Sequence, residues 1–193
     1  MRKKAVDLLR AKVALLKELG HIRKNKITEK GMFASKVYGY ELILSEFFSA
    51  GILEKLTLHE LVVLILAVIY EPRKGIPKPR LSPQAKHLER LTNDILFPLL
   101  KKEHAFRINP LSKGCHYHLS VCIESWMRGE SFDRIMAETK VDEGEVIRYL
   151  RMGIQLMREI METPVSDELK NKLHHAIGKI NRDVVDAEKQ LRG

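Results

Sequence analysis

Leu61 to Tyr70 reads LVVLILAVIY, ten residues without a polar break. Just upstream, Thr57 and Glu60 stand at the spacing of a capping box. In that motif a hydroxyl accepts from the backbone three residues on, and a carboxylate reaches back. The helix that opens there is apolar nearly all round and has no face to give to water. Other elements must be wrapped around it. A run of ten is too short to cross a bilayer, which needs about 20 residues. The stretch is therefore expected as the buried centre of a helical protein, with no part in a membrane.

The remaining segments supply the wrapping. Val6, Leu8, Leu9, Val13, Leu15, Leu16 and Leu19 recur at helical spacing, and Gly20 follows as a stop. HIRKNKITEKG then offers two short β-like pieces around a polar turn, the ending of a winged-helix module. YELILSEFFSAGILEKL reads as one more amphipathic helix. EPRKGIPKPRLSPQ holds four of the seven prolines and breaks regular structure. Ser82-Pro83 opens a helix expected to run to about Leu100, followed by a loop over KKEHAFRINPLSKG. CHYHLSVCIESWMRG is expected to be helical up to Gly129. A short helix in SFDRIMAETK, a long one from Asp142 to Met161 and a last one over SDELKNKLHHAIGKINRDVVDAEKQL, capped by Ser166, complete the second half. Asp142 and Glu145 suggest a second capping box. Strand signals nearly vanish after residue 30. The expected fold class is mainly α, a helical bundle with a short winged-helix-like hairpin near the N-terminus. Residues 1–35 read as the tail of a module begun upstream. Residues 36–193 read as the bundle, with a Pro-rich basic loop at about 72–84.

Charge narrows the choice of partner. The chain carries 34 Lys and Arg against 25 Asp and Glu, a net +9. Two blocks, 1–30 and 72–113, each hold ten cations against three carboxylates, while the other segments are slightly acidic. Such blocks attract polyanions, or simply form a solvated face. Two cysteines build no disulfide framework, so a reducing, cytoplasmic setting is expected. Lys12 and Lys17 interrupt the first apolar run, which excludes a signal peptide there.

Motifs of catalysis are missing. There is no G-x-x-x-x-G-K-[ST] phosphate loop, no nucleophile elbow and no H-E-x-x-H. DEGE, Asp142 to Glu145, begins a helix and follows no apolar strand, so it is no helicase metal box. CHYHLSVC brings Cys115, His116, His118 and Cys122 close in sequence. On a helix Cys115, His118 and Cys122 would share one face with His116 pointing elsewhere. The spacing fits no usual zinc finger, and cysteines on an apolar face are expected in the core.

The helix from Asp142 is more informative. Val146, Ile147, Leu150, Ile154, Met157 and Met161 cluster on one side. Arg148, Arg151, Gln155 and Arg158 cluster on another. Guanidinium groups in a row bind phosphates or stack on bases. The plainer alternative is a solvated face whose arginines pair with Glu145, Glu159 and Glu162.

GESFDRIMAETKVDEGEVIRYLR resembles the C-terminal helical (DSHCT) domain of DExH-box RNA helicases of the superkiller and exosome-cofactor type. The residues that carry the likeness are Trp126, Gly129, Phe132, Glu143, Gly144, Val146, Ile147 and Arg148. Leu19, Gly20, Thr28, Lys30, Gly31 and Ala34 are similar to the segment leading into that domain. Ile180, Arg182, Asp183, Val184, Val185 and Ala187 are similar to its close. The resemblance implies a bundle beside two RecA-like motor domains that helps close a channel for single-stranded RNA. Its long helix would touch bases as a ratchet during ATP-driven translocation. Arg148 carries over directly. The family often has two adjacent basic residues one turn later, where this chain has Arg151-Met152.

The motor domains themselves are absent from these 193 residues. The chain is therefore expected to be an accessory module of a superfamily 2 helicase, working with a motor in cis or in trans. No cofactor is expected on it, since ATP and Mg would be bound by the motor. Two other classes stand beside this one. A helix-turn-helix regulator would insert the helix from Asp142 into DNA, although Asp142, Glu143 and Glu145 would repel phosphates at its leading end. A protein-interaction bundle would carry its charge incidentally.

Overall fold

The structure, a computed structural model, describes residues 2–186. Helix α1 (Arg2–Glu18) ends in a Schellman motif. Gly20 sits at φ +81°, its N–H donates to Lys17 O at 3.1 Å, and the N–H of His21 donates to Leu16 O at 2.9 Å. A hairpin of β1 (Ile22–Arg23) and β2 (Lys26–Ile27) follows, with Ile22 opposite Ile27. Lys24 and Asn25 at its tip have φ of 48° and 56°, as a two-residue type I′ turn requires. No strand follows Ile27 among the described residues.

Thr28 then caps α2 (Glu29–Ala34), its Oγ1 accepting from the Gly31 N–H at 3.2 Å. The stretch read as one helix from Tyr40 is divided into α3 (Glu41–Ser49) and α4 (Ile52–Lys55). Gly51, at φ +67°, turns the chain between them and lets both Phe47 and Leu53 reach the core.

The capping box at α5 (Leu58–Ile69) is complete. Thr57 Oγ1 accepts from the Glu60 N–H at 3.3 Å, and Glu60 Oε2 accepts from the Thr57 N–H at 3.0 Å. Every residue from Leu61 to Tyr70 is buried. No helix among the described residues is long and apolar enough to cross a membrane.

Helix α6 (Pro83–Ala105) runs a turn beyond the expected stop near Leu100, despite Pro98 in its interior. Its last turn is held by the buried Glu103, whose carboxylate accepts from Ser112 N–H at 2.9 Å and Ser112 Oγ at 2.8 Å. The next expected helix starts late. Residue 116 is extended, its N–H donating to Ala67 O at 2.7 Å, and a 3-10 turn (Tyr117–Leu119) leads into α7 (Ser120–Met127). That bond satisfies a carbonyl the end of α5 would otherwise leave orphaned. Cys115 and His118 therefore precede α7 and do not share a helical face with Cys122.

The second half contains α8 (Phe132–Met136), α9 (Glu143–Met161) and α10 (Asp167–Ile180). Asp142 caps α9 alone, Oδ1 accepting from the Gly144 N–H at 3.0 Å. Glu145 does not reach back, because Arg73 takes its carboxylate at 3.0 Å, so the second capping box stays incomplete. Ser166 caps α10 as expected, accepting from the Leu169 N–H at 3.1 Å. The expected continuation of that helix gives way to a 3-10 turn, Asp183–Val185, and residues 187–193 lie outside the described residues. Trp126 diverts the chain there. Its Nε1 donates to Ile180 O at 3.1 Å, and the Arg182 guanidinium lies 3.4 Å from its ring centroid. Arg182 also donates to Trp126 O at 2.9 Å and Glu130 O at 2.7 Å.

The hairpin and α3 are joined through His21, which is 2% exposed. Ser45 Oγ donates to Leu42 O at 3.0 Å, so it accepts from His21 Nε2–H at 2.7 Å. The other ring nitrogen, Nδ1, has no partner. Protonating it would place a buried positive charge near the Lys30 ammonium, which the Leu16 backbone offsets only in part. Burial first, and then Lys30, lower the His21 pKa to about 4. The neutral ring belongs to the fold, and the charged ring favours the unfolded chain. Stability is thus complete above the ordinary value of 6.5 and declines as pH falls through the window from 6.5 to about 4. Urea unfolding across that window should lose up to about 3 kcal/mol, and His21→Gln should flatten the decline. Gly31 offers a second check. A Cβ there would meet His21 O at 2.3 Å, a backbone atom that cannot swing away. Gly31→Ala, although it favours helix, should lower the unfolding free energy by roughly 1–3 kcal/mol.

Candidate nucleic-acid interface

Helix α9 packs against α5 and α10 together, which makes its inner face wider than the sequence stripe. Tyr149, Gly153, Leu156 and Ile160 join Val146, Leu150, Ile154 and Met157 inside, while Ile147 and Met161 are only half-buried. A Cβ on Gly153 would lie 2.8 Å from Leu66 Cδ2, so glycine lets α9 approach α5 closely. This packing directs the opposite face to the surface.

The four residues singled out on that face have different neighbours. Arg148 is 55% exposed, and its guanidinium lies 4.5 Å from the centroid of the Tyr149 ring and 3.5 Å from Glu145 Oε1. Glu145, 13% exposed, is shared with Arg73. Gln155 is exposed and donates from Nε2 to Glu159 Oε1 at 3.3 Å. Arg158 is exposed and makes no ion pair or hydrogen bond among the described residues. Arg151 differs. It is half-buried, with Nε donating to Val185 O at 3.0 Å and Nη2 to Val184 O at 3.1 Å. It holds the 3-10 turn after α10. The structure thus brings Arg148, Gln155 and Arg158 to solvent and ties Arg151 to backbone.

Other segments border this face. Arg73 comes from the Pro-rich stretch, and Lys113 pairs with Glu71 beside it. Tyr149 OH accepts from the Glu71 N–H at 3.3 Å, fixing that stretch against α9. Half-buried Tyr40 lies in the same electrostatic neighbourhood as Lys113, Glu71 and Arg148, and burial raises its pKa. The loop before α3 also reaches α9, where the Tyr38 N–H donates to Glu159 Oε2 at 3.1 Å. The helical pattern of α9 could not announce these neighbours. The basic block over 72–113 was the one signal for Arg73 and Lys113.

Among the described residues no three His, Cys, Asp or Glu side chains come together as a metal set. Burial pushes the thiols of Cys115 and Cys122 up to about 12, which keeps both protonated.

A profile of the DSHCT (NUC185) domain matches residues 24–188. The chain belongs to that family. Among curated relatives, the DExH-box ATP-dependent RNA helicase DExH9 of Arabidopsis thaliana is 28% identical over 94% of this chain. The exosome RNA helicase MTR4 of Homo sapiens is 24% identical over 94% of it, and the antiviral helicase SKI2 of Saccharomyces cerevisiae 28% over 91%. The DSHCT chain covers only 19%, 18% and 15% of these three proteins, so it corresponds to less than a fifth of each.

Several residues that carried the family likeness hold this DSHCT domain together. Trp126 is fully buried, Phe132 meets it edge-on with centroids 6.0 Å apart, Gly129 turns at φ +92°, and Arg182 stacks on the indole. Arg148 is the exposed cation of the set. Stability measurements can separate the two kinds of arginine. Arg151→Ala should cost roughly 1–3 kcal/mol in urea unfolding, because two part-buried carbonyls lose charged donors. Arg158→Ala should stay within about 0.5 kcal/mol of wild type.

Proposed function

We propose that the domain is the single-stranded RNA-binding C-terminal module of an ATP-dependent superfamily 2 RNA helicase. In this reading it helps close an RNA channel beside RecA-like motor domains, supplied in cis or in trans. The outer face of α9 contacts the passing strand and acts as a ratchet. ATP and Mg belong to the motor, and this chain contributes no catalytic group. Residues 1–35 form the tail of a winged-helix-like module, and residues 36–193 form the bundle. The two unpaired cysteines suit a reducing, cytoplasmic setting.

The observation that carries the reading is the solvent-facing set Arg148, Gln155 and Arg158 on a 19-residue helix whose other side is fixed in the core. The helix-turn-helix alternative is less favoured. Asp142 and Glu143 are exposed at the end of α9 that would have to enter a DNA groove.

The test is binding of single-stranded RNA and duplex DNA at two salt concentrations. The wild-type chain should prefer the single strand and lose affinity steeply as salt rises. Arg148→Ala with Arg158→Ala should weaken single-strand binding by roughly 1–3 kcal/mol. Arg151 is left intact because its loss would disturb the fold. Unchanged binding would favour a protein-interaction bundle, and preference for the duplex would favour groove recognition.

A further inference from the structure

Tyr38 is 86% exposed, the most of any large apolar or aromatic side chain among the described residues. A ring of that size left in water is unusual where both flanks are anchored. Val37 on one side is buried, and Tyr40 on the other is half-buried. The backbone between them is fixed. The Tyr38 N–H donates to Glu159 Oε2 at 3.1 Å, and the Gly39 N–H donates to Glu41 Oε1 at 3.1 Å, with Gly39 at φ +85°. Glu159 uses its other oxygen to accept from Gln155 Nε2 at 3.3 Å. One carboxylate therefore ties the backbone of Tyr38 to the last turn of α9, at the end of its outer face. The space beside Gly39 is open, since a Cβ built there would meet nothing within 4 Å.

Arg148 and Arg158 both precede this point along the helix, with Arg158 immediately before it. At 1.5 Å per residue they are about 15 Å apart, roughly the span of four stacked nucleotides. A strand laid along the helix would pass its two cationic contacts and then meet the pinned tyrosine. The carboxylate of Glu159 disfavours a phosphate there and leaves the aromatic ring as the surface offered to a base. Stacking on an aromatic face is tolerant of sequence, which matches a module that handles strands in passing.

We propose that Tyr38 is a base-stacking platform for single-stranded RNA, held by Glu159 at the C-terminal end of α9 and next after Arg148 and Arg158 along the helix. The inference rests on the reading of α9 as a strand-contacting helix and adds a residue that reads bases where the arginines read phosphates.

The experiment uses the full chain and fluorescence anisotropy with three labelled RNA 12-mers: oligo-uridine, oligo-adenosine and an abasic strand of the same phosphate count. Tyr38→Ala should weaken binding of the two base-bearing strands by roughly 5–100-fold and leave the abasic strand unaffected. Tyr38→Phe, which keeps the aromatic face, should bind as wild type does. Circular dichroism melting should be unchanged in both variants. Tyr38→Ala binding all three strands as wild type does, or losing affinity equally for all three, overturns the proposal. The Arg148→Ala, Arg158→Ala double variant separates the two layers. If it weakens every strand while Tyr38→Ala weakens none, the helix reading stands and the platform falls. If it changes nothing while Tyr38→Ala discriminates by base, the platform stands and the helix reading falls.

Discussion

The burial of α5 is the constraint on which the rest of the molecule depends. A helix with no polar face can be stable in water only when it is covered on all sides, and apolar burial is worth about 25 cal/mol per Å². α6, α7, α9 and α10 supply that cover, and the extended stretch before α7 closes the end of the helix by donating to Ala67 O. The placement of α9 follows directly. Its glycine at position 153 admits the Leu66 side chain, and the depth of that contact decides which residues of α9 are left facing outward. The candidate interface is thus a by-product of how the core is closed.

Much of this architecture was legible in the sequence because it is written in local rules. A hydroxyl and a carboxylate three residues apart made the start of α5 visible. Gly20 marked the end of α1, and Ser166 marked the start of α10. The misreadings occurred where a distant partner outweighed local preference. Glu145 has the right spacing for a capping box, yet a charged partner from residue 73 takes it. Tyr40 to Leu56 has a continuous helical pattern, yet Gly51 adopts a left-handed turn that brings two short helices onto the core. Lys101 to Ala105 reads as part of a loop punctuated by Pro110 and Gly114, but Glu103 turns inward to organise the loop that follows.

The candidate site was legible to the same degree. Helical spacing correctly placed Arg148, Gln155 and Arg158 on one face. It could not distinguish Arg151 from them, because the two carbonyls that hold Arg151 lie more than thirty positions away in sequence. Nor could it show that Tyr38 and Arg73 come to the same surface, since each arrives on a connection whose path depends on tertiary contacts. A helical wheel gives directions, and a binding surface is made of neighbours.

The carboxylate of Glu145 answers two guanidiniums at once, and this has a kinetic side. Shared between Arg73 and Arg148, it discharges neither, and it draws both guanidiniums toward one point of the surface. Rotamer freedom that would otherwise vanish at the moment of encounter has already been surrendered during folding. An approaching phosphodiester would exchange one tether for another and displace a single anion to engage two cations.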